Sequence, residues 1–484
     1  MRSTLFALTI LAAAGACAQT GSDAVKLGDV TFTATLRARA YGWDWFQAPP
    51  AYQNEYGYSG NLLRLNFAEK KGAFDWDAEV AVPFFLGLPD HATAAAPQGA
   101  LGLGSNYYTA NHNEQFAAMV FPKQVYGRYH FGKKEARSVL VGRFEFNDGS
   151  ELAPKNATLA TLKRDRVMQR VIGVYTFSDT GRAFDGIRYS WTQPSTDFTF
   201  IGATPTRGVF QTDGWGWNRV GFGYASFTKE WGSGNHAADT RIFAIDYDDF
   251  RHIVKTDNHP GALNAGDTEN IHLQTWGAHS LHAIATPRGT FDALGWVAFQ
   301  TGRWGTQTQR AYAFDLEGGF QPALLKAIKP WIRGGYTFGS GDGNPNDGRH
   351  ETFFQILPTP RPYARLPFFN TMNNEDAFGS LMLRPHAKVT VSSEYHSLRL
   401  ANAQDLWYSG GGVYQPWTFG YTGRAGSGRR SLANLYDTSV EYRANRHTTL
   451  TAYVGYAQGL AVMKTIYPAG KDGRFGYVEA LFRM

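Results

Sequence analysis

The chain has 484 residues, 18% charged and 15% aromatic, with 54 glycines and a formal net charge of +6. No run of eighteen or more apolar residues follows the N-terminal region, which excludes helical membrane spans. Lysines and arginines are scattered without a basic stripe, so nucleic acid is not an expected partner. A soluble chain of this length would divide into several domains, yet no Pro/Ser linker, charge block or low-complexity boundary interrupts it. One large closed sheet with many turns and aromatic interface bands accounts for that uniformity.

In chain order, Arg2, the apolar run Leu5–Ala14 and Ala16-Cys17-Ala18 predict a signal peptide cleaved after Ala18. Lipid attachment at Cys17 is the competing reading, disfavoured because Ala14 stands where a larger aliphatic residue is usual. Cleavage would leave residues 19–484 as a single barrel domain without a thiol. The remaining balance is mildly basic, which weakly favours anionic partners.

From Val30 onward, segments of period-2 alternation recur with turn signals between them, as in the hairpins of an outer-membrane barrel. In the first, Phe32, Ala34, Leu36, Ala38 and Ala40 share one face, and Thr35, Arg37, Arg39 and Tyr41 the other. It ends in Trp43, Trp45 and Phe46, placed where an interface girdle is expected. Leu62–Phe67 and Phe74–Pro83 follow, the latter with Asp75, Asp77 and Glu79 opposite an apolar face. Such segments continue to the terminal strand Phe475–Met484, which is predicted to close the barrel against Val30–Tyr41. About nineteen candidates result, whereas bacterial barrels have an even number. Short periplasmic turns and long extracellular loops, counted from both ends, collide between Phe146 and Phe184. Removing Arg170–Phe177 leaves eighteen antiparallel strands and makes Asn147–Ala183 one long loop, extracellular or folded inward.

Unbroken alternation points Arg37, Arg39, Arg64, Arg128, Arg143, Arg188 and Arg333 into the lumen. With them go Asp75, Asp77, Glu79, Glu145, Asp246, Asp248, Asp315, Glu317, Glu394, Asp437, Glu441 and Glu479. Charges belong inside because a lipid-facing charge at mid-membrane costs about 2–4 kcal/mol. They either pair across the wall and keep the lumen wet, or form a conduit that attracts an anion without holding it tightly. Asp342, Asn344, Asn346 and Asp347 have the clustered oxygens of a calcium loop. Its glycine is one place late and no glutamate closes it, so a turn-rich surface loop is preferred and no metal or cofactor is expected. No G-x-S-x-G, H-E-x-x-H or P-loop occurs. Ser392, Glu394 and His396 share a strand face but are ordinary lumen residues, so no catalytic residue is assigned.

Several motifs together carry a family resemblance. They are Leu86-Gly87-Leu88-Pro89-Asp90, Val141-Gly142-Arg143-Phe144-Glu145-Phe146, Pro205-Thr206-Arg207-Gly208-Val209-Phe210, Phe353-Phe354-Gln355-Ile356-Leu357-Pro358 and Asn373-Asn374-Glu375-Asp376-Ala377-Phe378. With these the chain resembles the alginate export family of outer-membrane porins over almost its whole mature length. The resemblance implies a monomeric eighteen-stranded barrel in a Gram-negative-type outer membrane, passing an anionic polysaccharide through an arginine-lined, mixed-charge constriction. The partners expected are outer-membrane lipid, an anionic polysaccharide or small anionic solute, and periplasmic secretion partners. A diffusion porin for small solutes is the alternative, ahead of a barrel enzyme or an adhesive barrel.

Overall fold

The computed structural model describes residues 24–360 and 363–484; the signal-peptide expectation lies outside them. Eighteen spanning strands form one closed antiparallel barrel. They are β1 Val30–Asp44, β2 Glu55–Lys71, β3 Phe74–Leu86, β4 Phe121–Phe131, β5 Arg137–Phe144 and β6 Phe184–Gln193. Next come β7 Thr196–Pro205, β8 Val220–Ser233, β9 His236–Asp249, β10 Ile271–Thr286, β11 Gly289–Trp304 and β12 Gln307–Pro322. The last six are β13 Trp331–Gly339, β14 Asn374–His386, β15 Val389–Arg399, β16 Ser431–Arg443, β17 Thr448–Gly459 and β18 Gly473–Arg483. The seam closes as expected, Thr35 opposite Arg483 through Asp44 opposite Arg474. Closure removes the sheet edge that the lipid hydrocarbon could not satisfy.

Arg170–Phe177 is not a strand; its one sheet-like contact is an isolated parallel bridge from Ile172 to Leu357. The connection it belongs to folds inward and contains the short helix Ala157–Leu162, capped by Asn156 Oδ1 accepting from the Thr158 and Leu159 amides. Leu159, Leu162, Val167, Val171, Ile172 and Val174 are buried in one cluster with Phe353, Phe354, Ile356 and Leu357 of the connection after β13. The same cluster takes in Phe222, Phe243, Ile245, Tyr247, Leu273 and Trp296 of the barrel wall. The extracellular half of the lumen is therefore a packed hydrophobic core, and we refer to Asn147–Ala183 as the plug.

The outer surface shows the membrane band. Trp276, Phe299 and Tyr312 form one exposed row on β10–β12, and Ile284 and Phe291 another nearer the periplasm. The eight steps from Trp276 to Ile284 span about 27 Å along the strand, or roughly 20 Å once the strand tilt is taken out. That is close to the apolar height of an outer-membrane barrel. Trp43, Trp45 and Phe46 take no part in it. They are 3%, 6% and 0% exposed and pack inward beside Phe475, Tyr56 and Tyr467. Their position at the strand end fitted a girdle, but here the loops cover them from inside.

Candidate functional site

The plug is fastened to opposite walls by charge. On one side Arg37 donates to Thr176 O at 2.8 Å and pairs with Asp179 at 3.2 Å. Arg39 bridges Glu479 and Phe177 O, each at 2.5 Å, and Tyr41 donates to Asp179 at 2.7 Å. Asp179 sits in a notch of the wall left by Gly60, where a Cβ would lie 2.3 Å from its carboxylate oxygen. Lys123 donates to Thr180 O and Arg182 O nearby.

On the far side, Lys163 pairs with Asp239 at 2.9 Å, and Arg241 lies 3.5 and 3.4 Å from Asp148 and Glu151. Burial pushes the Asp148 carboxyl up to about 6, against the pull of Arg241. Further toward the periplasm, Arg170 pairs with Asp315 at 2.6 Å and Arg166 with Glu317 at 2.8 Å. Arg333 of β13 bridges Glu317 and Asp292. Three wall carboxylates thus meet three guanidiniums, two supplied by the plug. Each charge faces an opposite one, as buried charges must, although the Arg170 and Arg333 Nε atoms have no hydrogen-bond partner.

Between the plug and β13–β18 a cavity of about 850 Å³ remains, reaching the periplasmic strand ends. Eight arginines and five carboxylates line it, so its wall is net basic. The arginines also differ in freedom. Arg384, Arg443, Arg446 and Arg483 stand at the periplasmic mouth, and no carboxylate lies within ion-pair distance of them among the described residues. Arg365, from the segment after β13, reaches into the same cavity over the Tyr453 ring, and its Nη1 has no hydrogen-bond partner. A smaller pocket of about 230 Å³ lies among the extracellular loops, lined by Trp45, Tyr175, Phe210, Trp407 and Arg424.

Most of the expected lumen residues do face inward. Arg64 pairs with Glu79 and Glu145, Arg128 with Asp75, and Asp77 accepts from Asn66. Arg188 donates to Ser190 and lies over the Phe146 ring. Glu394, Asp437, Glu441 and Glu479 line the cavity, and Asp315, Glu317 and Arg333 hold the plug.

Three expected lumen residues face outward instead. Asp246 and Asp248 alternate with Ile245 and Tyr247, which are 2% and 1% exposed inside the barrel. Outside, the two aspartates meet His272 and Gln274. The reason is the plug: near the extracellular rim the inside is apolar, while the outside has risen above the Trp276 row into water. Arg143 also points out, opposite Val125, which is half-exposed to lipid. It makes a two-armed pair with Asp185 at 2.7 Å and donates to Gly214 O and Trp215 O. It thereby staples residues 214–217 over the short strands β5 and β6, with Trp215 and Trp217 displayed outward. β5 ends at Phe144, so Glu145 does not continue its alternation and turns inward to Arg64.

Sequence reasoning missed Arg166, Arg170, Lys163 and Arg365 because loop residues carry no periodic signal. Arg443 was legible, since it shares the face of Asp437 and Glu441. In the Asp342–Asp347 loop, side-chain oxygens accept from the amides of Asn344, Asn346 and Arg349, as in a chain of turns.

A family model described as alginate export matches residues 116–465. The chain belongs to the alginate export family. No curated protein matches the sequence. Among solved structures, *Acinetobacter baumannii* OccAB4 is similar with a TM-score of 0.56 at 10% identity, over 94% of this chain and 98% of that one. *Pseudomonas aeruginosa* OccK9 (OpdG) gives 0.55 at 9%, over 94% and 98%. The *P. aeruginosa* outer membrane protein opdK gives 0.53 at 8%, over 94% and 98%. At these identities the likeness speaks for the fold. Membership of the alginate export family, with the barrel and its apolar band, makes the chain an outer-membrane channel.

Proposed function

We propose that the channel passes an anionic, polyuronate-like oligo- or polysaccharide from the periplasm outward. The observation that carries this reading is the periplasmic mouth, where Arg384, Arg443, Arg446 and Arg483 lack carboxylate partners among the described residues. Guanidiniums present paired donors that match carboxylates, and an excess of them at an entrance concentrates anions there. Deeper in, Arg365 offers a further anion contact, while Glu394, Asp437 and Glu441 on the same wall limit how tightly a polyanion is held. Conduction needs that balance.

The test is single-channel recording in planar bilayers with oligouronates added on the periplasmic side. Saturable current block is expected, and it should weaken in Arg365→Gln. A channel indifferent to oligouronate but still selective for small ions would overturn the polysaccharide reading in favour of a small-solute pore.

A further inference from the structure

Glu394 on β15 stands directly opposite Asp437 on β16, and His396 lies one step along the same inward face. Two carboxylates in such register repel unless a proton or a cation lies between them. Their surroundings are arranged unusually for a simple ion pair. His396 is fully buried, and its Nδ1 is 2.8 Å from Asp376 Oδ2. Its Nε2 has no hydrogen-bond partner and lies 3.7 Å from Glu394 Oε2. Among the described residues, the only hydrogen bond that Asp437 shows from a neighbouring side chain is a long one, 3.4 Å from the Tyr453 hydroxyl. One ligand atom from each of Glu394, His396 and Asp437 falls within 4.8 Å of the other two.

A carboxylate on one imidazole nitrogen, with the other nitrogen free and aimed at two further carboxylates, is the arrangement that orients a metal-ligating histidine. In a tetrahedral site with bonds near 2.0–2.1 Å, ligand atoms are about 3.3 Å apart. The histidine–glutamate distance is already near that value. Charge points the same way. Glu394 faces Arg166 and Arg365, Asp437 faces Arg365, Asp376 meets the imidazole, and Arg166 already serves Glu317. Among the described residues, three carboxylates against one uncommitted guanidinium leave a deficit that a divalent ion cancels. The outer cluster Asp246, Asp248 and His272 differs, because its imidazole is engaged on both nitrogens, by Asp248 and Gln274.

We propose that Glu394, His396 and Asp437 form a binding site for a first-row divalent metal ion, with Asp376 positioning the imidazole. One imidazole and two carboxylates suit Zn²⁺ or Mn²⁺ and leave coordination positions open to the lumen. The test uses the full chain in detergent, stripped with chelator and titrated with Zn²⁺ while bound metal is counted. About one Zn²⁺ per chain is expected to depend on this site. Glu394→Gln with Asp437→Asn, and separately His396→Ala, should abolish it, and Asp376→Asn should weaken it by about 10- to 100-fold. His272→Ala should leave it unchanged. Heat-modifiable migration on gels shows whether each variant has closed its barrel. If the near-isosteric double variant folds and still binds as much Zn²⁺ as the wild type, or if the wild type binds none, the proposal fails. His396 is then an imidazolium held between Asp376 and Glu394.

Discussion

Asp315→Asn tests whether charge holds the plug. In the native protein Arg170 and Asp315 meet at 2.6 Å with side chains 2% and 0% exposed. The amide keeps the shape but not the charge. The Arg170 guanidinium then stays buried over the Tyr363 and Trp296 rings, with Arg166 O as its remaining acceptor. Breaking a buried pair in this way costs about 3–5 kcal/mol, which shifts a docking equilibrium by two to almost four orders of magnitude. The barrel wall survives, because the β11–β12–β13 ladder is made by the backbone. Single-channel recordings should therefore show long-lived openings of higher conductance. Lys155→Ala is the control: Lys155 and Glu230 are 3.9 Å apart and the lysine is 68% exposed, so its loss costs about 1 kcal/mol or less. If Asp315→Asn folds and gives the wild-type conductance histogram, ion pairing does not hold the plug.

Gly60→Ala puts a methyl group against the Asp179 carboxylate, which is held by Arg37 and Tyr41 and cannot swing away freely. A loss of about 1–3 kcal/mol is expected, read as faster proteolysis within residues 170–183 of a barrel that still closes. Arg384→Gln with Arg443→Gln should shift the reversal potential in a salt gradient toward cation preference, and an unchanged potential would remove the mouth from the selectivity argument. In the extracellular loops, burial raises the Asp405 carboxyl to about 6. A raised acid gives its full stabilisation below the unfolded value near 4 and loses it as pH rises through about 6. Asp405→Asn should therefore flatten the pH dependence of amide exchange at residues 402–408 between pH 4 and pH 7. His350, lowered by burial to about 3, acts in the opposite sense as pH falls below about 6.5. Comparing wild type with Asp405→Asn cancels its contribution.

The strands were legible because lipid on one side and water on the other impose a two-residue period. Loop lengths fixed their direction, which is how Arg170–Phe177 was recognised as non-spanning. The periodic argument assumed a wet lumen along the whole height. It held for Arg37, Asp315 and Glu479, but inverted at Asp246 and Asp248, where the plug makes the inside apolar. Arg143 misled for a related reason: a charge that faces outward is tolerated when a carboxylate and three carbonyls enclose it. The cation set that shapes the conduit lies partly on loops, at Arg166, Arg170 and Arg365. Their positions follow from tertiary contacts alone.

The double fastening of the plug bears on how the barrel comes together. Asp179 needs Arg37 and Tyr41 of the first strand, while Arg170 needs Asp315 of the twelfth. In an open sheet those strands are far apart, and one short segment cannot reach both. Only when β18 meets β1 are the two sets of partners brought within its span. The ion pairs therefore reward closure itself, so a seam built from ordinary backbone pairing gains a latch that no unclosed sheet can engage.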